Sequence, residues 1–145
     1  VLHPAHVGRA YRYVYLAAGD PPAGNWPQQA IWKVDMATGA QQIWSAAPRG
    51  FVGEPIFVPR PRSAAVAGSV TPDVGDPQRN AAPGEDNGWL LALVYDAERH
   101  TSALVILDAQ DLGRGPLAQI RLKGHLPHGL HGSFTSAVFG GSDPL

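Results

Sequence analysis

Cysteine is absent from this sequence of 145 residues. Without a thiol the chain can form no disulfide and no thiolate metal site, and it has no cysteine nucleophile. The absence is compatible with a reducing compartment, and the expected location is cytoplasmic.

An excess of charge and long apolar runs are lacking as well. The net charge of −1 gives no electrostatic reason to expect nucleic acid as a partner. No apolar run approaches the roughly 20 residues that a membrane helix needs. The N-terminal residues include neither an initiator methionine nor the apolar core of a signal peptide, so we expect the chain to begin inside a longer gene product. A peripheral membrane contact through residues upstream of Val1 stays open.

Proline and glycine are plentiful, with 14 and 17 copies, and they interrupt the chain too often for long helices. The segments between them have the composition and alternation of strands, about seven in number. Two pairs of segments have the form of hairpins, and the arms of the second pair are so apolar that both of their faces are expected to be buried. The predicted strands lie within 11–19, at Ile31–Asp35, Gln41–Trp44, Pro55–Pro59, Trp89–Tyr95 and Ala103–Leu107, and within 115–123.

Short strands joined by hairpin turns are typical of an all-β sandwich, a barrel or a propeller. The weak similarity between the two hairpins favours propeller blades, and residues 1–145 are then part of a single propeller domain. Residues 63–87 are rich in Ala, Gly, Pro and Asp without a strand period, and they predict a surface insertion that carries no chemistry.

Three histidines, His125, His128 and His131, lie three residues apart near the end of the chain. Imidazole is a common metal ligand, but Pro127 and the neighbouring glycines argue against a helix, and on an extended chain this spacing points the rings to opposite faces. All three therefore cannot easily reach one ion. His131 is the best single candidate, because glycines on both sides let the backbone turn its ring inward.

Several alternatives depend on the same residues. A propeller piece with an incomplete site would serve as an interaction module without any metal. A serine hydrolase is disfavoured, because the sequence contains no Gly-x-Ser-x-Gly motif. The remaining histidines, His3, His6 and His100, are expected to be exposed to solvent.

Three stretches carry a resemblance to a known family: "GEPIFVPRP", "EDNGWLLALVYDAERHTSALVILDAQDL" and "GPLAQIRLKGHLPHGLHGSF". Together they resemble the C-terminal end of the carotenoid cleavage oxygenases, which include apocarotenoid oxygenases, lignostilbene dioxygenases and the retinal pigment epithelium isomerase. The resemblance implies that this all-β chain forms the C-terminal blades of a seven-bladed β-propeller and is several times shorter than a whole family member.

The resemblance also implies a cofactor and the residues around it. Family members hold a non-haem Fe(II) with four histidines, the last of them in a Leu-His-Gly motif that matches His131, so three ligands would lie upstream of Val1. A glutamate that accepts a hydrogen bond from an iron-bound imidazole matches Glu54. From its position alone, Glu54 is better interpreted as a surface residue that caps a strand. The resemblance instead favours the role of an acceptor for an iron-bound imidazole.

Departures from the family pattern lower the expectations for other residues. Gly124 replaces the first histidine of a His–His pair whose second member matches His125, and relatives usually carry another residue at His128. Pro127 and Phe134 are candidates for lining the pocket. The implied reaction uses O₂ to cleave a C=C bond of a carotenoid or apocarotenoid, with a stilbene as the alternative substrate, and this chain alone is expected to be inactive.

Overall fold

The computed structural model describes residues 1–19, 27–61, 84–129 and 131–137. They form eight strands in two antiparallel sheets, with two short 3₁₀-helices at Pro4–His6 and Leu112–Arg114. The predicted all-β class is confirmed. No helix in these ranges is long and apolar enough to cross a membrane.

The first sheet contains the earlier predicted hairpin. Its strands are β1 (Tyr13–Ala18), β2 (Ala30–Asp35) and β3 (Gln41–Ser45), with β2 in the centre. Gly39 closes the β2–β3 turn with a φ of +73°, a conformation that costs glycine little because it has no Cβ. The sequence therefore predicted both the strands and the turn of this hairpin.

The second sheet contains five strands, and the long β6 pairs with three of them. The strands are β4 (Gly50–Val52), β5 (Ile56–Pro59), β6 (Gly88–Asp96), β7 (Thr101–Asp108) and β8 (Pro116–Arg121). Both β4 and β5 pair with β6, and the order continues through β7 to β8 at the edge. The strand count from sequence missed β4, because three residues are too few to show an alternating pattern.

One face of the second sheet packs on the first sheet and forms the core. Tyr15 and Ile31 from the first sheet meet Leu90, Val105 and Leu107 from the second, and all five are at most 2% exposed. Burial raises the pKa of the Tyr15 hydroxyl, which donates a hydrogen bond to the Ala109 carbonyl at 3.2 Å.

The other face of the second sheet is only partly covered. Burial alternates along β6, with Leu90, Ala92 and Val94 buried and Leu93 38% exposed. The prediction that both faces of this hairpin are buried is therefore wrong for the described residues. The half-exposed face is the one on which the candidate site lies.

The end of the predicted insertion at 63–87 is attached to the first sheet. Residues 63–83 lie outside the described ranges, but the Glu85 carboxylate accepts hydrogen bonds from the backbone N–H groups of Arg12 and Tyr13 at 2.8–2.9 Å. Next to it, Asp86 pairs with Lys33 at 2.8 Å, and the Lys33 side chain is only 5% exposed. The ammonium of Lys33 also lies 4.5 Å from the centre of the Tyr13 ring.

Replacing Asp86 with alanine in the full-length parent is expected to destabilise the fold by about 3 kcal/mol, because it leaves the Lys33 ammonium buried without its counter-ion. The measurement is the free energy of unfolding from a urea titration. Glu98→Ala is the matched control, since it removes a carboxylate whose pair with Arg49 is exposed and should cost less than about 1 kcal/mol. Equal losses in the two variants would contradict this account of Lys33.

Candidate metal-ligand site

Glu54 lies where the edge of the second sheet is interrupted between β4 and β5. Val52 pairs with Val94 and Ile56 pairs with Leu91, so the three residues 53–55 oppose the two residues 92–93. An extra residue of this kind is a β-bulge, and it reverses which side chains point to a given face. Phe51 before the bulge and Ile56 after it therefore line the same cavity, and Glu54 joins them there.

His131 and Glu54 come together although they are 77 residues apart in sequence. The Nδ1 atom of His131 lies 3.2 Å from Oε2 of Glu54. A neutral imidazole that donates its Nδ1 hydrogen to this carboxylate keeps a lone pair on Nε2, which is the form that binds a metal. The side chains are 77% exposed for His131 and 39% exposed for Glu54, so the ring is open on the side away from the carboxylate.

The glycine after His131 has a steric role that the structure makes visible. A Cβ added to Gly132 would lie 2.8 Å from Cδ1 of Ile56, closer than real contacts allow. A side chain at this position would require the end of the Ile56 side chain to move, so its absence lets the backbone at residues 131–132 lie close to β5. Gly132 therefore lies next to Ile56, which is two residues after Glu54 in the chain.

Two cavities meet at Glu54. The smaller, about 90 Å³, lies between the half-exposed sheet face and the segment 126–132, and Leu91, Leu93 and Leu104 contribute to its walls. The larger, about 470 Å³, opens toward β1. Glu54 and His128 line both cavities. The walls of the smaller cavity are mostly apolar on the sheet side.

Of the two predicted pocket residues, Pro127 lines the smaller cavity beside His128 and His131. Phe134 lies at the surface, 52% exposed, and is not among the residues that line either cavity. Its role as a pocket residue stays a prediction.

The other two histidines of the cluster surround Tyr95, which the sequence did not single out. The ring of Tyr95 meets His125 edge-on at 5.8 Å and His128 at 6.2 Å between ring centres, and its hydroxyl lies 2.9 Å from Nδ1 of His100. Within the described ranges His125, His128 and His131 do not form a group that could hold one metal ion. The sequence could have indicated Tyr95 only through the register of the β6–β7 hairpin, which places this side chain on the half-exposed face of the second sheet.

His3 and His6 correct an expectation from the sequence. His100 is exposed as predicted, but His3 and His6 are half-buried. The His3 ring lies 5.0 Å from the ring of Phe57, and burial lowers its pKa, assisted by the nearby His6. The prediction failed because it treated the first residues as a frayed end, whereas they form a 3₁₀-turn against β5.

A metal ion would need several donor side chains at one point. Within the described ranges no group of three or more His, Cys, Asp or Glu side chains could hold one. The chain does offer one imidazole whose Nδ1 is engaged by a carboxylate, which is the arrangement found behind metal-ligating histidines. The donor chemistry therefore fits one ligand of a metal site, whose other ligands would come from outside the described residues.

Comparison with known proteins gives matches along nearly the whole chain. The family model described as "Retinal pigment epithelial membrane protein" matches residues 1–136. An apocarotenoid-15,15'-oxygenase of Synechocystis is 48% identical over 92% of this chain and 24% of its own length. A 9-cis-epoxycarotenoid dioxygenase of Arabidopsis thaliana is 32% identical over 93% of this chain. A lignostilbene-alpha,beta-dioxygenase isozyme of Sphingomonas paucimobilis is 30% identical over 91% of it.

Solved structures agree with these matches. A variant of the Synechocystis apocarotenoid oxygenase superposes with a TM-score of 0.77 at 47% identity, covering 94% of this chain and 25% of that one. A cobalt-substituted form of the same enzyme superposes with a TM-score of 0.76 at 46% identity, again over 94% and 25% of the two chains. The similarity of fold supports the predicted class, a fragment of a β-propeller.

Proposed function

This chain belongs to the carotenoid cleavage oxygenase family, and on that premise we propose that its parent protein is a non-haem Fe(II) dioxygenase that cleaves a C=C bond of a carotenoid or apocarotenoid. The reaction joins one O₂ to the two carbons of the double bond, which separate as two carbonyl groups. The single observation that carries the proposal is the hydrogen bond between His131 and Glu54 at the position that the family match implies for a ligand.

The chain spans about a quarter of the length of the relatives it matches. The activity therefore belongs to the parent, and residues 1–145 are proposed as the C-terminal part of its single propeller domain. This part contributes one iron ligand, and three further histidines are proposed to lie upstream of Val1. The proposed location of the parent is cytoplasmic.

In the proposed site Nε2 of His131 binds the metal and Glu54 orients the ring. The carboxylate fixes the tautomer, because it accepts the Nδ1 hydrogen, and its negative charge makes Nε2 a stronger donor. Neutral imidazoles suit Fe(II), and bound there it would supply the redox chemistry that lets O₂ react with an alkene. A cobalt-substituted form of a relative supports the expectation that the centre takes a divalent metal.

The surroundings of His131 suit an apolar substrate. Leucine side chains of β6 and β7 line the cavity next to the imidazole. They give a polyene or a stilbene an apolar surface to pack against. An apolar wall also lowers the amount of water near the reacting groups. The lignostilbene relative keeps a stilbene as the second candidate substrate, while the higher identity to the apocarotenoid enzyme favours a carotenoid-derived one.

The test of the proposal is made on the full-length parent, purified anaerobically. We expect about one iron per chain and, with O₂, aldehyde products from an apocarotenal. Products from a stilbene alone would move the assignment to the second substrate class. A parent that takes up no iron and forms no carbonyl product from either substrate would be an interaction module, and the proposal would be wrong.

Replacing Glu54 with glutamine in the parent is expected to lower iron affinity or turnover by about 10–100-fold, the usual effect of losing the partner of a metal-binding imidazole. Glutamine keeps the size of the side chain but loses the negative charge, so the effect reports on the charge of the acceptor rather than on packing.

Glu98→Gln is the control for the Glu54 variant, because Glu98 is an exposed carboxylate in the β6–β7 turn. It should leave iron content and rate unchanged. An unchanged Glu54→Gln variant would return Glu54 to the role of a surface cap at the end of a strand.

A further inference from the structure

The tail that carries His131 has little burial of its own. Within the described ranges, residues 123–129 and 131–137 are all exposed. Burial therefore cannot hold the tail in place, and its position depends on specific bonds to the sheet. Any residue that supplies several of these bonds influences where His131 lies.

Ser102 supplies three such bonds. Its backbone carbonyl accepts from the Leu122 N–H at 2.9 Å, and its backbone N–H donates to the Gly124 carbonyl at 3.2 Å. Its side-chain Oγ accepts from the Leu126 N–H at 2.9 Å. In the described part of the chain, these are the hydrogen bonds that join residues 122–129 to the second sheet.

The side-chain bond is the one that extends the attachment beyond the strand. The first two bonds continue the β7–β8 ladder, in which Ala103 pairs with Arg121. Leu126 lies past the end of that ladder, and Pro127 next to it has no N–H to offer. Ser102 is only 3% exposed, so little water competes for the hydrogen bond that its hydroxyl oxygen accepts from Leu126.

The tail lies close to the sheet on both sides of His131. Ser102 holds it at Leu126, five residues before the histidine, and Gly132, one residue after the histidine, lies near Ile56. If the Leu126 attachment is lost, the upstream half of the tail is free to leave the sheet face. The imidazole then meets Glu54 for a smaller fraction of the time.

We propose that Ser102 is a positioning residue for His131, acting through the hydrogen bond from Leu126 to its hydroxyl. The proposal rests on the proposed function, because it assigns Ser102 a part in holding the metal-binding imidazole in place. Ser102 lies in the hairpin that the sequence predicted, and a serine there gave no signal of this role.

The experiment compares Ser102→Ala, Ser102→Thr and Ser45→Ala in the full-length parent. Ser102→Ala removes the acceptor. Ser102→Thr keeps it, and the cavity of about 90 Å³ that this residue lines has room for the added methyl group. Ser45→Ala is the matched control, because the Ser45 hydroxyl, at the end of β3 in the first sheet, also accepts a hydrogen bond from a backbone N–H, that of Ala47 at 3.1 Å.

Two quantities are measured. The first is hydrogen–deuterium exchange of the peptide covering residues 124–129 in the metal-free protein. The second is the affinity for Co(II), followed by its visible absorption. For Ser102→Ala we expect faster exchange and an affinity lower by about 3–10-fold, the scale of one lost hydrogen bond. Ser102→Thr should restore both quantities, and Ser45→Ala should change neither.

The outcomes separate this proposal from the proposed function. Unchanged exchange in Ser102→Ala, or faster exchange with Co(II) affinity within twofold of the wild type, would overturn the role of Ser102. A wild-type parent that binds no divalent metal would instead refute the proposed function. The hydrogen–deuterium exchange of residues 124–129 would then decide whether Ser102 holds the tail.

Discussion

His131→Ala in the full-length parent is expected to lose most of the bound iron and to reduce turnover by at least about 100-fold, more than the loss of a residue that only supports a ligand. The physical reason is that the variant removes one imidazole of the metal site and leaves the Glu54 carboxylate without its partner. Iron content and the rate of aldehyde formation are measured on the same anaerobic preparation, so that loss of metal and loss of rate can be compared directly.

His125→Ala is the matched control for the His131 variant. His125 is an exposed histidine in the same tail, and its ring lies beside Tyr95 rather than Glu54. We expect wild-type iron content from it. Full iron occupancy and turnover in His131→Ala, or an equal loss in both variants, would show that the ligand has been assigned to the wrong histidine.

The 145-residue chain by itself is expected to show no turnover and no tight iron binding. A catalytic iron needs several protein ligands at one point, and the described residues hold no group of three potential ligands. In addition, β8 is exposed along its whole length at the edge of the sheet, and Leu117 and Ile120 are 46% and 52% exposed. An open apolar edge strand favours aggregation of the isolated chain.

The chain is tested by expressing Val1–Leu145, loading it with Fe(II) under anaerobic conditions, and assaying an apocarotenal and a stilbene for aldehyde products. The full-length parent, loaded with Fe(II) and assayed in the same way, is the positive control. Stoichiometric tight iron binding by the chain, or turnover that His131→Ala abolishes, would contradict this prediction. It would show that residues 1–145 supply enough ligands to hold the metal by themselves.

The hairpins were predictable from the sequence because their signals are local. Alternating or continuous apolar residues bounded by glycine and polar turns gave β2, β3, β6 and β7 to within two residues. The short β4 and the bulge at 53–55 could not be predicted, because both are defined by pairing with β6 across more than 30 intervening residues. The covering of a sheet face likewise depends on residues that are distant in sequence.

The candidate site was predictable only in part. Spacing separated His131 from His125 and His128, and the Leu-His-Gly and Gly-Glu-Pro motifs singled out His131 and Glu54. No local pattern states that these two side chains meet, because their contact depends on the bulge that turns Glu54 to the open face and on the missing side chain of Gly132. The attachment of the tail to Ser102 was invisible for the same reason.

The most direct test of the central claim is a crystal structure of the full-length parent with diffraction data collected at the iron absorption edge. The account predicts an anomalous peak within bonding distance of Nε2 of His131, with Glu54 hydrogen-bonded to Nδ1 of the same ring and not in contact with the metal. A peak bonded to Glu54 directly, or an iron site without His131, would contradict it.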